Sequence, residues 1–61
     1  MNDSLTIKEL FVKCYCESRK TQAFLTQCLD KCPEEEREYL IELVEKTAST
    51  SKKIKEFYEK H

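Results

Sequence analysis

The chain has no glycine, no tryptophan and one proline in 61 residues. Tight turns draw on glycine for positive φ, so a chain without any has room for very few of them. The one histidine, His61, is the last residue, which leaves no base to pair with a cysteine or serine on a rigid frame. No catalytic residue is assigned, and a non-enzymatic role is expected. No stretch approaches the ~18 to 20 consecutive apolar residues of a membrane span. Met1-Asn2-Asp3-Ser4 lacks the basic start and apolar run of a signal peptide. A cytoplasmic, reducing setting is therefore expected, with no membrane partner, and there cysteines are thiols or ligands more often than disulfides. A net charge of −1, from 11 basic and 12 acidic residues, gives no general attraction to nucleic acid.

What the chain does have is 39% apolar and 38% charged residues in a helical rhythm. Thr6-Ile7-Lys8-Glu9 is a capping box, and Leu5 and Leu10 are placed for the hydrophobic staple. From there Ile7, Phe11, Cys14, Ser18, Thr21, Leu25, Cys28 and Cys32 alternate spacings of four and three, flanked by Leu10, Phe24 and Leu29. That is the seam of a helical bundle. Pro33 ends it and suits the first position of a second helix, where Glu34, Glu35 and Glu36 complement the positive helix end. The second seam is Leu40, Val44, Thr47, Ser51, Ile54 and Tyr58, flanked by Leu43 and Phe57. Its weak point is Thr47-Ala48-Ser49-Thr50-Ser51, where only alanine is a strong helix former and Ser49 or Thr50 is a candidate cap for a separate short helix.

The expected fold is all-α: one domain over 1–61, with helix 1 over 6–31, a turn at 32–33 and helix 2 over 34–59. So short a connection makes the helices antiparallel and pairs residues whose numbers sum to about 68. Phe11 then meets Phe57 and Tyr58, Cys14 meets Ile54, Ser18 meets Ser51, Thr21 meets Thr47, and Leu25 meets Leu43 and Val44. Small hydroxyl residues form a waist, each able to bond a carbonyl one turn back.

The four cysteines tempt a metal reading, because Cys28 and Cys32 sit one helical turn apart. Zinc needs further ligands, and on a continuous helix Cys14 lies about 21 Å from Cys28 while Cys16 faces away. No metal ligands and no cofactor are assigned. Cys14 is expected in the hairpin core beside Ile54, with Cys16 on the outside.

That outer side carries a second stripe. Leu5, Val12, Cys16 and Ala23 repeat at three-four spacing opposite the seam, with Glu9 and Arg19 interleaved and Tyr15 beside them. Below roughly 70 to 80 residues a single core rarely supplies more than about 3 to 5 kcal/mol. Leu5, Val12, Tyr15, Cys16, Arg19 and Ala23 are accordingly the expected interface, first for a homodimer that makes a four-helix bundle and then for a larger protein partner. The function this suggests is a small regulator acting by protein binding, as an inhibitor or adaptor. An alternative is structured-RNA binding by Lys8, Lys13, Tyr15, Arg19 and Lys20. Cysteine-based metal binding is a lesser one.

Overall fold

The computed structural model describes residues 6–60, and Leu5 and His61 lie outside them. Helix α1 spans Ile7–Cys28, a 3-10 turn follows at Leu29–Lys31, and helix α2 spans Glu34–Glu59. The two helices pack against each other as a hairpin, with no strand among the described residues.

The start of α1 is the expected capping box. Thr6 is extended at φ −69° and ψ 163°, its hydroxyl accepts the Glu9 N–H at 3.1 Å, and the Glu9 carboxylate accepts the Thr6 N–H at 2.9 Å. Two backbone donors that the helix leaves unpaired are thereby satisfied. The Thr6 backbone and hydroxyl bonds stabilise the charged carboxylate and hold Glu9 below the usual carboxylate range.

The α-helical part of the first segment closes at Cys28 and tightens into the 3-10 turn through Lys31. Proline disfavours helical backbone in the residue before it, and Cys32 is extended at φ −86° and ψ 134°. Pro33 is also extended, at ψ 152°, so it serves as the N-cap of α2 instead of its first helical residue. Arg37 reaches back to donate to the Leu29 carbonyl at 2.9 Å, satisfying an acceptor at the turn.

Helix α2 runs unbroken through Thr47–Ser51. The Thr47 hydroxyl bonds the Leu43 carbonyl at 2.7 Å and the Thr50 hydroxyl bonds the Lys46 carbonyl at 2.9 Å, so hydroxyls that could cap a new helix are used inside this one. Packing of Ser51 against α1 overrides weak propensity.

The antiparallel register is the expected one. Phe11 stacks on Phe57 with ring centroids 4.1 Å apart, and Ser18 shares a hydrogen bond with Ser51. The roll of α1 differs. Tyr15 and Gln22 turn inward beside Phe11, Ser18, Leu25 and Leu29, whereas Ile7, Cys14 and Thr21, all expected in the seam, are exposed. A tyrosine ring buries more surface than a thiol and here meets Tyr58 edge-on at 5.9 Å, so the helix places Tyr15 inward at the expense of Cys14.

Packing is thin. Among the described residues no apolar side chain is buried, and the one buried residue is Ser51 at 3% exposure. The chain exposes 5006 Å². A compact monomer of its 7.3 kDa would expose roughly 4,200 Å².

Candidate interaction surfaces

A hairpin one layer thick has two broad faces, and the helical period assigns each residue to one. The seam on α1 follows Phe11, Ser18 and Leu25, and on α2 Leu40, Val44, Thr47, Ser51, Ile54 and Tyr58. A step of one residue turns the side chain by about 100°. In antiparallel helices the residue after a seam position falls on one face of both helices, and the residue before it falls on the other.

The first face holds the expected interface. Val12, Cys16, Arg19 and Ala23 are exposed on α1, while Leu5 lies outside the described residues. Tyr15 is half-buried and already engaged. Its ring meets Tyr58, its hydroxyl accepts from Arg19 Nη1 at 2.9 Å, and the Arg19 guanidinium lies 5.8 Å from its ring centre. The pair is thus tied down within the chain, and the apolar surface left free on this stripe comes from Val12, Cys16 and Ala23. Beside it runs a shallow groove of about 310 Å³ lined by Tyr15, Arg19, Gln22, Ala48, Ser51, Lys52 and Lys55. The groove joins Lys52 and Lys55 of α2 to Arg19 of α1. Of the expected basic set, Lys20 pairs with Glu17 at 3.4 Å, and Lys8 and Lys13 are exposed.

The second face is more apolar. Ile7, Leu10, Cys14 and Phe24 on α1 join Tyr39 and Leu43 on α2, all exposed, Phe24 at 64% and Tyr39 at 71%. Sequence reasoning placed Ile7, Leu10, Cys14, Phe24 and Leu43 in or beside the hairpin seam and left Tyr39 unassigned. The signal was the width of the stripe: one partner helix cannot cover a seam together with large flanking residues such as Leu10 and Phe24.

All four cysteines are free thiols, with Cys14 and Cys16 exposed and Cys28 and Cys32 half-buried. No group of three or more histidine, cysteine, aspartate or glutamate side chains among the described residues is placed to hold a metal ion. Glu35, Glu38, Glu42 and Glu45 line a shallow depression around Tyr39 and Ile41, an acidic patch near the turn.

No protein-family model, curated protein or solved structure matches the chain. The surfaces therefore stand on their own chemistry. No helix among the described residues is long and apolar enough to cross a membrane.

Proposed function

We propose that this chain is a small non-enzymatic regulator that acts by binding protein, as an inhibitor or adaptor, and that the hairpin self-associates into a four-helix bundle. One observation carries the reading. Among the described residues no apolar side chain is buried, yet Ile7, Leu10, Val12, Phe24, Tyr39, Ile41 and Leu43 are exposed. Ordering more than fifty residues costs conformational entropy that such thin packing does not offset, and a standard interface would bury about 800 Å² more on each partner. Protein surface of matching apolar character supplies that burial, in the cytoplasmic setting expected from the sequence, where the cysteines stay thiols. Sedimentation equilibrium on the purified chain, together with native mass of the protein from its own host, tests the reading. Dimers or a stoichiometric complex with another protein support it. A monomer that recovers no partner rejects it.

The groove favours one second reading. Lys52 and Lys55 beside Tyr15 and Arg19 would suit the phosphates of a structured RNA. Such binding releases counterions and is strongest at low salt, so no RNA shift at about 50 mM salt removes it.

A further inference from the structure

Building on self-association, we infer that the second copy docks on the face of Ile7, Leu10, Cys14, Phe24, Tyr39 and Leu43. The two turns lie at the same end of the bundle, and each α1 stacks on the partner's α2. The face itself supplies the argument. Along α1 it reads Ile7, Leu10, Cys14, Glu17, Thr21, Phe24, Cys28, and along α2, taken from its C-terminal end, Lys60, Phe57, Lys53, Thr50, Lys46, Leu43, Tyr39. Both runs alternate three and four, so they stay in step over the whole length.

A two-fold axis along the bundle lays the first run over the second. Leu10 then meets the partner's Phe57, Phe24 meets the partner's Leu43, and Cys28 meets the partner's Tyr39, so apolar groups face one another toward both ends, while Ile7 falls opposite the partner's Lys60. At the middle, Glu17 lies over the partner's Thr50 and Lys53, and Thr21 over the partner's Lys46. The acid on this face belongs to α1 and the lysines belong to α2. Stacking α1 on the partner's α2 brings opposite charges together. The other two-fold arrangement, with the turns at opposite ends and the hairpins fully overlapped, stacks each helix on its own copy and sets Lys46 over the partner's Lys53 and Glu17 over the partner's Glu17. The exposed Glu17–Lys20 ion pair is worth little and does not oppose the exchange. The acidic depression of Glu35, Glu38, Glu42 and Glu45 surrounds Tyr39 near the turn and borders this face only there.

The experiment uses the full chain. Sedimentation equilibrium is measured for wild type, Phe24→Glu, Leu43→Glu and the Val12→Asp/Cys16→Asp double variant, with helicity followed by circular dichroism. All substituted positions are exposed in the hairpin. The wild type should dimerise. Phe24→Glu and Leu43→Glu should each raise the dimer Kd at least about 100-fold, since the two-fold repeats each loss, and the double variant should leave it unchanged. A short bismaleimide should then link Cys14 to the partner's Cys14, giving a peptide joined to its own copy, which no single chain can produce. If the double variant breaks the dimer and the glutamate variants do not, self-association stands and this face is wrong. A Cys14-to-Cys28 link overturns the arrangement, because those residues lie about 21 Å apart along one helix and can meet only with the turns opposed. A wild type that stays monomeric rejects self-association itself.

Discussion

Ser18 and Ser51 share a hydrogen bond across the two helices, Oγ to Oγ at 2.5 Å, and Ser51 is the one buried residue among those described. Small side chains bring the two helices within hydrogen-bonding reach there, and the aromatic pairs Phe11–Phe57 and Tyr15–Tyr58 pack between them toward the termini. The hydroxyls of Thr21 and Thr47 are satisfied by the Glu17 and Leu43 carbonyls, so the waist's other hydroxyls carry no unpaired polar cost.

Enlarging the waist should be worse than emptying it. Ser51→Leu forces extra carbons into that contact and should cost about 1 to 3 kcal/mol in urea unfolding at fixed protein concentration. Ser51→Ala leaves the part-buried Ser18 hydroxyl without its partner and should cost about 1 kcal/mol, whereas Ser18→Ala/Ser51→Ala should be close to neutral. A double variant as costly as the sum of the singles would show that the bond does not matter.

Truncating the aromatic clamp should loosen the open end of the hairpin. Phe11→Ala removes a ring stacked at 4.1 Å on Phe57. Both rings are half-buried, so the loss should be roughly 2 kcal/mol, short of the ~3 to 5 for a fully buried phenylalanine. Phe24→Ala, at an exposed ring, should cost the monomer much less. Equal losses in a dilute sample would mean Phe24 is packed in the hairpin after all.

The elements and register were legible in the sequence because each had a local cause. Thr6 and Glu9 marked the start, Pro33 the turn, and the three-four spacing the helices; a turn this short left one register, so Phe11 and Ser18 found the expected partners. The roll of α1 was not legible, since it depends on a choice between adjacent residues. Cys14 with Thr21 and Tyr15 with Gln22 fit the same period one step apart, and the ring of Tyr58 on the other helix decides between them. That roll moved Cys14 outward and tied Tyr15 and Arg19 into the chain. Val12, Cys16 and Ala23 stay exposed on the back of α1, and a second, more apolar face is made by both helices.

The capping box should make helicity depend on pH in one direction. Glu9 is held below the usual carboxylate range by its bonds to Thr6, so folding favours its charged form. Its contribution is complete above the unfolded value of about 4.3 and is lost as pH falls through the lowered folded value. Glu9→Gln keeps an acceptor for the Thr6 N–H but cannot titrate, so the difference in stability between wild type and variant should shrink or reverse on acidification. Thr6→Ala should cost about 1 kcal/mol through the lost cap. A wild-type-minus-variant difference that does not change with pH would detach Glu9 from the cap.

Thiol modification reads both the roll of α1 and the docking face. In dilute monomer Cys14 and Cys16 are both exposed, and Cys28 and Cys32 are half-buried. The first two should therefore react at similar rates with a neutral maleimide, and faster than the second two. A slow Cys14 in the monomer would restore the seam that places it beside Ile54. Raising the concentration until the chain dimerises should protect Cys14, which lies on the apolar face with Leu10 and Phe24, and leave Cys16 as reactive as before. Protection of Cys16 with Cys14 unchanged would move the second copy to the stripe of Val12, Cys16 and Ala23. Because the two thiols are two residues apart on one helix, local unfolding exposes both alike, and a change in their ratio reports which face is covered.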